Sequence, residues 1–223
     1  IIPARGNSKE LHKKNTKKLC GKPLVVWSIT EAKKSKYIDC VALSSEDEQI
    51  LSIGKQCGVD VLIKRPKELS KDDVTTAEVV LHSIGLLHNY ELCILLQPTS
   101  PLRTSDDIDD SLKSFYYQSD KYMSLISVTQ VNQHPRWMFK LSEDGFLEKL
   151  MTNSDMSKPR QYLEHLYIPN GAIYITKCND LRKYKTFYID PIMPYVMPPE
   201  RSIDIDSKWD FMLAEFLLKK ILK

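Results

Sequence analysis

Four consecutive apolar side chains, Cys93-Ile94-Leu95-Leu96, run without polar alternation, the pattern of a central strand covered on both faces. Such a strand belongs to a sheet sandwiched between helices. It delivers Gln97-Pro98-Thr99-Ser100-Pro101 just past its C-terminal end, where open α/β sheets bind ligands. The flanking sequence completes an alternation of strands and helices, which builds a mainly parallel sheet. Ile1-Ile2 reads as a strand that turns at once into a polar loop. Pro23 suits the first turn of a helix whose apolar side is Leu24, Trp27 and Ile29. Val41-Ala42-Leu43 is a strand, and Ser45 with Glu48 gives a capping-box signal for a helix that buries Ile50, Leu51 and Cys57 and ends near Gly58. Val59 to Ile63 is the next strand. Thr75 or Thr76 caps a helix with the stripe Ala77, Val80, Leu81, Ile84 and Leu87. Ser105 opens an acid-rich helix, and Met123 to Val131 and Ala172-Ile173-Tyr174-Ile175 are further strands. Ser207, paired with Asp210, caps a final helix with Trp209, Met212, Leu213, Phe216 and Leu217 as its expected packed face.

Between about His134 and His165 this rhythm breaks. Phe139-Lys140-Leu141 and Phe146-Leu147 flank Glu143-Asp144-Gly145, a hairpin signal. The chain is expected to be one domain, 1–223, with 134–165 an excursion from the sheet. Its aromatics either cap the core or bury against a second copy.

Charge and cysteine usage narrow the function. Lys and Arg number 32 against 29 Asp and Glu, a net +3. That surplus is too small for a dedicated nucleic-acid or membrane-surface binder, so any polyanion should be small and gripped locally. Cys20, Cys40, Cys57, Cys93 and Cys178 are odd in number and contain no CxxC pair, which argues against a disulfide framework or zinc site and for a reducing, cytoplasmic setting. No apolar run approaches the roughly 20 residues of a spanning helix, so membrane insertion is not expected.

Two constellations carry chemistry. Arg5, Gly6, Ser8, Lys9, Lys13, Lys14 and Asn15 cluster at the mouth of the sheet, where backbone N–H groups and cations hold phosphates; a solvated lysine run would look the same. Neither GxxxxGK[ST] nor GxGxxG occurs. In Asp204-Ile205-Asp206 the two acids project to one side of an extended segment and suit one hard cation, magnesium, whose other ligands are water and phosphate oxygens; a strand with one wet face shows the same alternation. Asp106, Asp107, Asp109 and Asp110 follow Thr104-Ser105 at a helix start, where capping and the helix dipole explain them. His12, His82, His88, His134 and His165 lack HxxxH spacing, and no GxSxG elbow marks a nucleophilic serine.

Taken in order, Ile1 to Lys9, Lys14-Asn15, Leu96 to Arg103, Pro159-Arg160-Gln161, Asn170 to Ile175 and Ser202 to Asp206 resemble the acylneuraminate cytidylyltransferases, the CMP-sialic acid synthetases. The resemblance implies a three-layer nucleotide-diphospho-sugar transferase fold, Rossmann-like, and a magnesium-dependent reaction of CTP with a nine-carbon 2-keto acid sugar, giving the CMP-sugar and pyrophosphate. It puts the nucleotide grip on Arg5, Ser8, Lys14 and Asn15, with Arg65 and Thr76 toward cytosine and ribose. The sugar pocket falls on Gln97, Thr99, Arg160, Gln161, Asn170, Tyr174, Phe187 and Tyr188, and the metal carboxylates are Asp204 and Asp206. Residues 134–165 match the family's dimerisation arm, which implies a homodimer.

Phosphoryl-type transfer needs an in-line nucleophile and positive charge on the oxygens that gain negative charge. Arg5 and Lys14 supply that charge and Asp206 the metal, which makes these three the catalytic candidates. Arg160 suits a carboxylate through paired N–H donors. Three departures bear on the substrates, the first on the phosphate loop and CTP affinity, the other two leaving the sugar open among N-acylneuraminate, legionaminic and pseudaminic acids. Glu10 and His12 stand where the family has Gly and Pro, Ile168 where several members carry a basic residue, and Glu164 where Pro is usual. Another nucleotidyltransferase specificity and a CTP-binding scaffold without turnover are the competing expectations.

Overall fold

The computed structural model describes residues 1–8, 10–151 and 159–221. Its strands are β1 (Ile2–Pro3), β2 (Lys18–Leu19), β3 (Lys22–Pro23), β4 (Ala42–Ser45), β5 (Val61–Lys64), β6 (Leu92–Leu95), β7 (Ser124–Gln130), β8 (Phe139–Leu141), β9 (Leu147–Lys149), β10 (Tyr167–Lys177) and β11 (Ile192–Val196). The helices are α1 (Leu24–Lys34), α2 (Glu48–Gln56), α3 (Thr76–Leu86), α4 (Ser105–Tyr117), α5 (Cys178–Tyr184) and α6 (Lys208–Ile221).

Strands β1, β4 and β5 pair in parallel, and β11-β7-β10-β6 form a second set. Ile1 joins the two sets: its nitrogen donates to Ile94 O at 2.6 Å and its carbonyl accepts from Leu96 N at 3.0 Å. The order across the sheet is therefore β5-β4-β1-β6-β10-β7-β11, with β10 antiparallel to both its neighbours.

Alternation along β6 explains its continuous apolar run. Cys93 and Leu95 face a layer with Val80 and Ile84 of α3 and Leu181 of α5. Ile94 and Leu96 face the other layer, with Val25 and Ile29 of α1 and Ile108 and Phe115 of α4. Each side chain of a strand between two helical layers has a dry surface to cover, so no polar residue interrupts the run.

Local signals resolve in detail. Thr75 with Glu78 and Thr104 with Asp107 form reciprocal capping boxes, and Ser207 exchanges the same bonds with Asp210. Ser45 does not cap α2. It lies in β4, and Asp47 is the N-cap, accepting from Gln49 N at 2.7 Å and Ile50 N at 3.2 Å. Pro23 sits one residue before α1, at its N-cap. Two of the acids of α4 are structural. Asp107 receives Arg201 at 2.8 and 2.9 Å, and Asp109 holds the chain after α1 through Ser35 and the Lys36 amide.

The packed face of α6 is the expected one only at Leu217, which packs against the core; the other four expected residues stay largely in solvent. Phe211, Ala214 and Leu218 are buried against Leu24, Trp27 and Leu102, whereas Trp209 is 78% exposed and Met212, Leu213 and Phe216 are about half exposed. Both stripes of this helix are apolar, so periodicity alone could not choose between them. In the excursion, β8 and β9 form the expected hairpin, with Leu141, Phe146 and Leu147 strongly exposed. The aromatics therefore do not cap this chain's own core. Among the described residues no helix is long and apolar enough to cross a membrane.

Candidate active site

At the C-terminal edge of β1, β4 and β6 lies a cleft of about 360 Å³. It gathers Arg5, Ser8, Lys14, Asn15, Arg65, Thr76, Gln97, Thr99 and Asp206 from segments far apart in sequence. Asp204 stands beside it, with Thr99 donating to its carboxylate.

Backbone geometry sets the walls. Lys13 adopts a left-handed φ of 51° and the chain then makes a single turn over Lys14–Thr16. From there Lys14 Nζ donates to Ile205 O at 2.6 Å and to Asp206 Oδ1 at 3.1 Å. Asn15 is buried; its Nδ2 donates to Arg5 O at 2.8 Å, which fixes the loop carrying Arg5. A Cβ on Gly6 would lie 2.5 Å from Asp47 Oδ2 and 2.8 Å from its Cβ, so only glycine lets this loop press against the start of α2.

The opposite wall is Ser202–Asp206. Ile205 is fully buried among Leu24, Leu102 and Phe211, and its N–H donates to Thr99 O at 2.8 Å. With this middle residue buried, Asp206 lines the cleft and Asp204 stands beside it, against Gly171. Burial pushes the Asp204 carboxyl above the usual carboxylate range. The Thr99 hydrogen bond and the Lys14 charge pull it down, and Asp206 and Asp210 push it further up. Its Oδ1 is buried with no hydrogen-bond partner among the described residues.

Three cations of the cleft have an acid facing them. Arg5 meets Asp72 at 2.8 Å, Lys14 meets Asp206, and Arg65 meets Glu46 at 2.7 Å. The first two pairs each include an exposed carboxylate side chain, so an incoming phosphate can exchange for it at small cost. The third is buried.

The sugar-pocket expectations separate. Gln97 and Thr99 line the cleft. The Asn170 amide is committed: Oδ1 accepts from Ser127 Oγ at 2.6 Å and Ala172 N at 3.2 Å, while Nδ2 donates to Ser202 Oγ at 2.9 Å. It clamps the segment leading to Asp204. Tyr174 and Phe187 are buried in the core, 5.7 Å apart between ring centres, and Tyr188 lies half exposed against Tyr174. Gln161 is exposed and lines a different cavity at the base of the hairpin, with His134, Glu164 and His165. Arg160 begins the turn Arg160–Tyr162, and its side chain lies outside the description, as do all of Lys9 and residues 152–158.

Sequence reasoning missed three contributors. Asp72 and Glu46 complete the ion pairs above. Glu46 directly follows the last residue of β4, a position that strand-end logic identifies. Arg103 is 2% exposed, and donates to Ala172 O at 2.7 Å, Gln97 O at 3.3 Å and Ser28 Oγ at 2.7 Å. Burial lowers its guanidinium to about 10, with Asp107 and Glu31 opposing. It pins the Gln97–Thr99 loop from beneath.

A cleft at the strand ends of an α/β sheet, lined by Arg5, Lys14 and Arg65 and by Asp206 with Asp204 beside it, marks the candidate site. Comparison with known proteins narrows this: the cytidylyltransferase family matches residues 1–183, and the chain belongs to that family. It is 35% identical to an N-acylneuraminate cytidylyltransferase of Escherichia coli over 99% of this chain and 52% of that protein. It is 31% identical to the CMP-N,N'-diacetyllegionaminic acid synthase of Legionella pneumophila, over 98% and 95%. The chain thus spans about half the length of the first relative and nearly all of the second. Its fold matches a CTP complex of CMP:2-keto-3-deoxy-manno-octonic acid synthetase with a TM-score of 0.72 at 14% identity, covering 99% of this chain and 97% of that one.

Proposed function

We propose that this chain transfers CMP from CTP to the 2-hydroxyl of a nonulosonic acid, an N-acylneuraminate or a related legionaminic or pseudaminic acid, and releases pyrophosphate. The observation that carries the reading is the convergence of Arg5, Ser8, Lys14, Asn15, Arg65 and Thr76 on one cleft with Gln97, Thr99 and Asp206. Arg5 and Lys14 bind phosphate oxygens and stabilise their charge by exchanging their carboxylate partners for the triphosphate. Arg65 and Thr76, on the far wall, receive the nucleoside, and Gln97 and Thr99 orient the acceptor sugar.

The residues present fit a divalent cation. Asp204 offers a buried, unpartnered Oδ1 and Asp206 an exposed carboxylate two residues on. Two carboxylates suit an ion that takes its remaining ligands from substrate and water. Magnesium held by Asp204 and Asp206 would supply Lewis-acid stabilisation of the phosphates and lower the pKa of the acceptor hydroxyl.

The bare hairpin, with Leu141, Phe146 and Leu147 in solvent, supports a homodimer in which each arm crosses to its neighbour and brings Arg160 and Gln161 to the neighbour's sugar pocket. The cysteines are all free thiols, in keeping with a cytoplasmic enzyme. Nucleotide choice tests the reading: with magnesium and an acceptor sugar, pyrophosphate release is expected with CTP and at least tenfold slower with UTP, ATP or GTP. Equal rates with a purine nucleotide would reject it.

A further inference from the structure

Of the three ion pairs in the cleft, Arg65–Glu46 is the one most withdrawn from solvent, the Arg65 and Glu46 side chains being 4% and 17% exposed. Glu46 does more than neutralise Arg65. Its Oε1 accepts from the Gly6 amide at 2.7 Å, and its Oε2 accepts from Arg65 Nη2 at 2.7 Å and Ser70 Oγ at 2.9 Å. Those donors belong to three separate walls: the loop after β1, the end of β5, and the turn Lys67–Ser70 that leads to α3. Burial alone would raise the Glu46 carboxyl. The bonds from Arg65, Gly6 and Ser70 outweigh it and hold the group below the usual carboxylate range.

We propose that Glu46 is a positioning residue for the nucleotide: it assembles these walls before ligand arrives and fixes the Arg65 guanidinium in the orientation that CTP meets. This rests on the CTP reading above. Three donors converging on one side chain require an acceptor-only group, and an ionised carboxylate is the one side chain of this length with none of its own hydrogens to turn toward them. Glutamine keeps the length but sets an NH₂ against at least one of the donors. Aspartate keeps the charge and falls one methylene short. Because Arg65 is already neutralised, it recognises the nucleoside by hydrogen-bond geometry, so misorienting it weakens binding of the ground state and the transition state alike.

The test compares the wild type with Glu46→Gln and Glu46→Asp, measuring the CTP dissociation constant by calorimetry without sugar, and then kcat and KM with it. Glu46→Gln should weaken CTP about tenfold, a loss typical of one charge-assisted hydrogen bond, with the change in KM and not in kcat. Glu46→Asp should recover part of it. A purely structural role would lower the melting temperature without this split between KM and kcat. CTP binding within twofold of wild type in the glutamine variant would overturn the proposal, as would a fall in kcat at unchanged KM or an aspartate variant no better than glutamine. The calorimetric arm needs no turnover, so it still decides the role of Glu46 if the wild type binds CTP and transfers nothing.

Discussion

Asp204→Asn should make the ligand-free protein more stable while removing its activity. Asp204 keeps a buried Oδ1 without a partner, and burial raises its carboxyl above the unfolded-chain value of 3.8. A raised value means that the folded state binds the proton more tightly than the unfolded one. Stability is therefore lost as pH climbs from the unfolded value through the folded one, and the penalty is complete at neutral pH. Asparagine has nearly the same shape and no charge to desolvate. The penalty it removes is that of a buried group left unmade, about 1–3 kcal/mol. At about 2–4 °C per kcal/mol for a chain of this size, the melting temperature should rise by several degrees at pH 7.5. The gain should shrink toward pH 4, as the wild-type carboxyl begins to take up its proton. Thermal unfolding without metal or nucleotide, at both pH values, checks this. A lower melting temperature for the variant at pH 7.5, or the same gain at both, would refute the reasoning.

Further expectations follow from the same geometry. Gly171 has a φ of +75°, and a Cβ there would lie 3.0 Å from Asp204 Oδ2, so Gly171→Ala should cost about 1–2 kcal/mol in urea unfolding and reduce the magnesium response of turnover. Arg103→Ala strips hydrogen bonds from the buried Ala172 carbonyl and Ser28 hydroxyl; at about 1–3 kcal/mol per unsatisfied group it should lose about 2–6 kcal/mol in the same assay. Leu141→Asp with Leu147→Asp should convert the proposed homodimer to monomer in light scattering without altering the circular dichroism of the core. The acid limb of kcat/KM should lie above the ordinary aspartate value of about 4, because Asp204 must lose its proton to bind a cation.

What the sequence made legible was local or periodic. The helix caps at Thr75 and Ser207 could be read because a capping box lies within four residues. The buried strand β6 could be read because two helical layers demand an unbroken apolar run. The buried face of α6 could not, since Trp209, Met212 and Phe216 on one side rival Phe211, Ala214 and Leu218 on the other, and only the tertiary neighbours decide. Ser45 was misread as a cap because Asp47 lies two residues on and competes for the same role.

At the site, motif order located the segments but not their pairings. Glu46 and Asp72 lie 19 and 67 residues from the arginines they hold, a relation that spacing does not encode. Asn170 and Phe187 show the opposite limit, since each is engaged by its own chain: Asn170 by Ser127 and Ser202, Phe187 by the Tyr174 ring.

The account stands most directly on pyrophosphate release from CTP, measured with magnesium and a panel of nonulosonic acids, for the wild type beside Asp206→Ala. It predicts turnover on at least one of the sugars and none above background in a variant that remains folded. Undiminished release from the variant, or silence from the wild type with every acid in the panel, would contradict it.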